Sequence, residues 1–181
     1  FIDAILAFTS QAPTALGATQ AAALEATGTF GNLFRSLGLA GGQSAMLSVS
    51  LTQIATDLSS FNNVPVEDAF LALRSGLVGE SEPLRKFGID VSDARLRHEA
   101  FLLGISDGKS VLTAAQKAQA AYSAIVKDSA LAQGDFARTA NEGANAARVR
   151  QASILQLVSS LERKFLPVIT AANIALGKTA A

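Results

Sequence analysis

The chain of 181 residues contains no cysteine, no tryptophan, one histidine (His98), one methionine (Met46) and four prolines. Without cysteine, disulfide scaffolds and thiolate metal sites are excluded. A single histidine leaves metal or acid–base chemistry without its usual partner, so His98 reads as a solvated or helix-capping residue. Net charge is lacking as well: 15 basic and 15 acidic residues cancel. Nucleic-acid binders carry a basic excess, so the balance argues against DNA as the main partner. Charge is scarcest at the start. Residues 1–60 hold only Asp3, Glu25, Arg35 and Asp57, whereas residues 61–110 hold fourteen charged groups, net −2, and residues 111–181 hold twelve, net +4. A nearly uncharged, Ala-, Gly-, Ser- and Thr-rich third suits either a domain core or close packing against another chain. The chain opens on Phe1 with no basic, apolar, small-residue leader pattern, and reads as a piece of a longer polypeptide.

Apolar residues are present at helical spacing. Leu47, Leu51, Ile54, Leu58 and Phe61 step by 4, 3, 4 and 3, which places them on one stripe of a helix over 43–61. Asn62 and Asn63 end it. Pro65 then opens a second helix with Glu67 and Asp68 in its first turn, where anions favour the dipole. That helix is expected to reach Leu77, closed by Gly76 and Gly79 in left-handed conformations. Ser81 caps a short helix holding Glu82 and Pro83, which Gly88 terminates. Ser92 and Asp93 start another, to about Leu103, and residues 104–108 form a loop.

Thr113 caps a longer helix whose stripe is Ala115, Ala118, Tyr122 and Ile125, narrow enough for close helix approach. Gly134 and Asp135 mark a break. A last helix carries Ile154, Leu157, Leu161, Phe165 and Val168 on one face, and Pro167 is expected to kink or end it. In the first 40 residues, Asp3–Phe8 reads as helix and Pro13 opens a helix through Ala21–Leu24. Gly28, Gly31 and Gly38 are expected to cut the remainder into short pieces, with Gly41 and Gly42 in a loop.

No strand-like alternation and no internal repeat is visible. The expected fold is all-α: several helices of about 10–25 residues broken at Gly and Pro, in a segmented bundle or extended assembly without a sheet. Three regions follow from this pattern: 1–40, Ala/Gly-rich; 41–110, a central set of helices; and 111–181, long C-terminal helices. Residues 4–24 and 36–56 lack charge, but too few positions are strongly apolar for a membrane span.

Catalytic patterns do not emerge. Gly79-Glu80-Ser81-Glu82-Pro83 has a proline where a nucleophile elbow needs its second glycine. Gly38-Leu39-Ala40-Gly41-Gly42 lacks the Lys-Ser/Thr of a phosphate loop. The carboxylates Glu67, Asp68, Glu80 and Glu82 belong to helix starts. Arg138, Arg148, Arg150, Arg163 and Lys164 are too dispersed for a dense basic patch and read as a solvated face. No enzymatic activity and no cofactor is expected.

The most specific stretch is Phe61-Asn62-Asn63-Val64-Pro65-Val66-Glu67-Asp68-Ala69, followed by Ala72 to Ile89 with Pro83, Phe87 and Gly88. Before it come Gly31-Asn32-Leu33-Phe34-Arg35-Ser36-Leu37-Gly38-Leu39 and Leu47–Ser60. After it come Leu112-Thr113-Ala114-Ala115-Gln116-Lys117 and Gln133-Gly134-Asp135-Phe136-Ala137-Arg138-Thr139. These blocks, in this order over residues 25–170, resemble bacteriophage tail tape measure proteins. The resemblance implies a helical, non-enzymatic virion protein in the tail-tube lumen or tail tip. Such a protein is assembled in the bacterial cytoplasm, sets tail length, and leaves ahead of the DNA at infection. It also implies a few copies in symmetric register, a homotrimer favoured, against tail-tube and baseplate subunits. DNA would be a neighbour without specific binding, and contact with the host membrane would be transient. As one rod, 181 residues would span about 270 Å. The frequent Gly and Pro make a poor ruler, so this region is expected to be folded or segmented. The alternative is a membrane-active helical segment that forms a DNA-delivery channel.

Overall fold

The structure, a computed structural model, describes the backbone of residues 2–179 and the side-chain surroundings of residues 2–164 and 166. It is all-α, with ten helices and no strand among the described residues. In order they are α1 (Ile2–Ser10), α2 (Ala12–Ala15), α3 (Gln20–Ser36), α4 (Gly41–Asn62), α5 (Val66–Leu77), α6 (Glu82–Arg85), α7 (Asp93–Leu102), α8 (Ala114–Asp128), α9 (Asp135–Thr139) and α10 (Gly143–Thr179).

Helix α4 is the centre, packed by α1, α3, α5 and α9. Its composition explains how so many neighbours fit. Ser44, Ser48, Thr52 and Thr56 recur every fourth residue and are all buried. The hydroxyls of Ser48, Thr52 and Thr56 each donate to the carbonyl one turn back, so burial leaves no orphan hydroxyl in this row. The row is narrow, and α3 approaches it closely: Thr27 and Thr52 hydroxyls lie 3.2 Å apart, and a Cβ on Gly31 would sit 3.5 Å from the Ser48 hydroxyl. The larger residues of α4, Leu51, Ile54 and Leu58, are buried with Phe30, Phe34, Leu73, Leu84, Ile89 and Ile125. Each such side chain contributes about 1.5–3 kcal/mol on burial. The Phe30 and Phe70 rings meet at 4.6 Å, tilted by 52°. This core runs from Phe30 to Ala132 and takes in residues on both sides of positions 40 and 110.

Local signals act largely as their chemistry dictates. Thr113 and Gln116 form a reciprocal capping box at the start of α8. Asn63 takes a left-handed conformation (φ 51°) that closes α4. Pro65 is the N-cap of α5, and Glu67 and Asp68 occupy its first turn. Pro83 lies in the first turn of α6, where Ser81 is the N-cap residue without a side-chain capping bond.

Several glycines act differently from expectation. Gly28 and Gly31 do not break the chain, and α3 runs through both. Two tolerable propensity losses are outweighed by packing against α4. Gly41 and Gly42 are the first turn of α4 rather than a loop. Gly76 lies inside α5 and does not close it. It is glycine because Leu84 of α6 fills the space a side chain would need, its Cγ only 3.0 Å from an ideal Cβ. Gly79 does adopt the expected positive φ, 103°. Pro13 opens only the four-residue α2, and the Ala-rich run belongs to α3, which Thr19 caps by accepting from the Ala22 N–H. Phe61 leaves the α4 stripe and is 53% exposed, because the helix outruns the core at its last turn.

The largest departure is at the C-terminus. Helix α10 is 37 residues long and continues through Pro167. Proline costs one i→i−4 hydrogen bond, but its φ is helical, and good helix formers lie before it, Leu161 to Lys164 and Leu166, and resume at Ala171 and Ala172 after the β-branched Val168, Ile169 and Thr170.

Candidate functional site

Helix α10 is attached to the body by polar side chains. Asn145 donates to the hydroxyls of Ser60 (2.7 Å) and Thr139 (2.8 Å). The Arg148 guanidinium donates to the Ser59 hydroxyl (3.1 Å), the Asn145 carbonyl oxygen (3.2 Å) and the Val64 backbone carbonyl (3.1 Å). It therefore satisfies an acceptor left where α4 ends. Gln156 accepts the Gln20 backbone N–H at 3.0 Å, one of the orphan donors at the start of α3. Ala152 is the only fully buried apolar residue of α10 among those described. Asn145, Arg148, Ala152 and Gln156 step by 3, 4 and 4, so they form one face.

The opposite face is apolar and points away from the body. Ile154 is 61% exposed, Leu157 60%, and Val158 and Leu161 45% each. At 100° per residue, Ile154, Val158 and Leu161 lie roughly half a turn from Ala152 and Gln156. A surface helix normally turns its apolar stripe to the core and its polar stripe to water. Here the arrangement is inverted. Contiguous exposed apolar surface of this kind is a candidate interaction site. The stripe predicted from sequence thus divides: Ile154, Leu157 and Leu161 are exposed, and the side chains of Phe165 and Val168 lie outside the described residues. Of the α4 stripe, Leu51, Ile54 and Leu58 are buried, Leu47 is half-buried against the core, and Phe61 is exposed.

An open groove of about 710 Å³ lies beside α10, between it and α3, α4 and α5. Ala22, Ala26, Ala55, Phe70 and Leu155 give it apolar walls, and Glu25, Glu67 and Arg148 supply charge.

Two buried carboxylates tie helices of the body together. Asp57, 2% exposed, accepts the backbone N–H groups of Gly134 (2.9 Å) and Phe136 (3.2 Å), so it acts as the acceptor at the start of α9. Burial pushes its pKa up, against those two hydrogen bonds and one from Gln53, and the nearby Asp135 carboxylate adds to the rise. Glu99 is 1% exposed on α7 and takes hydrogen bonds from Lys127 (2.6 Å) and Ser123 (3.0 Å), with Arg95 at 3.2 Å. Burial raises the Glu99 pKa, but the hydrogen bonds from Lys127 and Ser123 and the charges of Lys127 and Arg95 outweigh it, so the net direction is down. Arg95 also reaches Asp128 at 3.1 Å, which joins α7 to α8. Lys127–Glu99 and Arg95–Asp128 fasten α7 to α8 and the Gly134 and Phe136 bonds of Asp57 fasten α4 to α9, whereas Arg95–Glu99 lies within α7.

The remaining expected positions serve packing and turns. Phe87 is half-buried against the core, with the Lys86 ammonium 5.0 Å from its ring centre. Gly88 adopts φ 73° after α6. His98 lies exposed on α7. Among the described residues no group of three His, Asp or Glu side chains is placed to hold a metal ion. No described helix is long and apolar enough to cross a membrane. Sequence reading passed over Asn145 and Gln156, and it placed Arg148 on a solvated face, whereas Arg148 is half-buried and bonded to Ser59 and Val64 of the body, a partnership set by residues distant in the chain. It also passed over Val158, which completes the outward face.

Compared with known proteins, the chain matches no protein-family model, no curated protein and no solved structure.

Proposed function

We propose that this chain is a structural, non-enzymatic region of a phage tail tape measure protein, present in several copies in the tail-tube lumen or tail tip and released ahead of DNA. The tail assignment rests on the ordered sequence blocks over residues 25–170. The observation that carries the structural-subunit part is the inverted α10, whose exposed apolar face calls for a partner helix. Homo-oligomers, a trimer favoured, and contacts with tail-tube and baseplate subunits follow on this reading. Residues 2–139 fold back on themselves in helices of at most 22 residues. In this reading they anchor or initiate the assembly, and the ruler proper is other sequence.

The test is tail length by electron microscopy in phage carrying in-frame deletions within residues 61–110. Failure to assemble tails, with deletions elsewhere in the protein shortening them, supports an anchoring body. Tails shortened by about 1.5 Å per deleted residue would make the segment part of an extended ruler and contradict the folded-body reading.

A further inference from the structure

We propose that α10 joins copies of this chain in a parallel, in-register helical stalk, through a seam that starts at Ile154 and leaves the body outside it. The inference rests on the structural-subunit part of the reading above and not on the phage tail.

Three observations carry it. First, the docked face of α10 is polar and spent on the body, while the outward face holds Ile154, Leu157, Val158 and Leu161 in solvent. Those four form contiguous apolar surface that a facing helix would remove from water. Second, the face keeps a seven-residue register. Ile154, Val158 and Leu161, continued in sequence by Phe165 and Val168, alternate steps of 4 and 3, the spacing of a coiled-coil seam. Such a seam needs a facing helix of the same period, and a second copy supplies one in register. Pro167 falls off the seam. Third, the flanking residues permit self-pairing. In a parallel arrangement Arg150 stands opposite Leu155, Leu157 opposite Glu162 and Lys164 opposite Ile169 of the next copy, so no like charges face each other. With Ile154 and Val168 at positions that favour leucine in two-stranded coils, the pattern points to more than two strands.

The experiment is sedimentation equilibrium of the intact chain. Wild type is expected to associate with concentration, and Ile154→Asp with Leu161→Asp to weaken association more than tenfold while the body unfolds at an unchanged temperature. Ser159→Asp, one position off the seam, should associate as wild type does. Since the chain has no cysteine, Ile154→Cys and Leu161→Cys, made separately, should each form a disulfide between copies on oxidation. A monomer at every concentration, equal loss from Ser159→Asp, or binding to lipid vesicles without self-association would overturn the proposal. Association without cross-linking at either position would overturn the parallel register. Association with tails of unaltered assembly in the deletion phage would instead sink the tail reading and leave the stalk standing.

Discussion

Helices α4 and α10 are the two longest in the chain, and they place their apolar residues on opposite sides. Helix α4 buries Leu51, Ile54 and Leu58 in the core and softens its other flank with a row of internally satisfied hydroxyls, so neighbours close on it from several directions. Helix α10 meets the body with Asn145, Arg148 and Gln156 and leaves Ile154, Leu157 and Leu161 in water. Among the described residues, the core from Phe30 to Ala132 includes nothing from α10. The body therefore owes its stability to apolar burial, whereas α10 is held by a few hydrogen bonds whose net worth is about 0.5–1.5 kcal/mol each. Stability resides in one region, and the exposed apolar face that the proposed association would use lies in the other.

Truncation mutants give the largest contrast. Phe34→Ala, at a fully buried site, should cost about 3–5 kcal/mol in urea unfolding. Leu157→Ala should stay within about 0.5 kcal/mol in dilute protein, and equal costs would erase the distinction between the two regions. Overpacking comes next. Gly76→Ala drives a methyl into Leu84 and should destabilise by about 1–3 kcal/mol, read as a lower urea midpoint at unchanged slope.

Acid provides a smaller, directional test. The Glu99 pKa is lower in the fold than its ordinary value. Its contribution is complete above the unfolded pKa of about 4.3 and is lost as pH falls through the folded value. Asp57 has the reverse sign: its raised pKa means that stability from this group increases as pH falls through the folded value toward about 3.9. Between pH 6 and 3, Glu99→Gln should therefore lose less stability than wild type, and Asp57→Asn should lose more. The reverse order in urea midpoints would contradict these assignments. The smallest effect belongs to Gln156→Ala, which removes the acceptor for the Gln20 N–H and should cost under about 1 kcal/mol. Faster amide exchange at Gln20 alone would register it.

Period and capping chemistry made much of this fold readable. The boundaries of α4, α5 and α8 follow from Asn63, Pro65 and Thr113, each of which acts within its own turn. Gly31 and Gly76 were misread as breaks because their role is set by Ser48 and Leu84, residues brought near only by the fold. The apolar row on α10 was visible at residues 154–161, but its direction was not. Which side of a helix faces the body depends on the partners of Asn145, Arg148 and Gln156, and those lie 85, 84 and 136 residues away in the chain. Glu99 and Asp57 escaped for the same reason, since a carboxylate is buried only if distant donors meet it.

Hydrogen exchange along α10, followed as protein concentration is raised, tests the central claim most directly. If the outward face joins copies of the chain, amides of residues 157–166 gain protection with concentration while those of α4 stay constant. Exchange over 157–166 that does not change with concentration would contradict it.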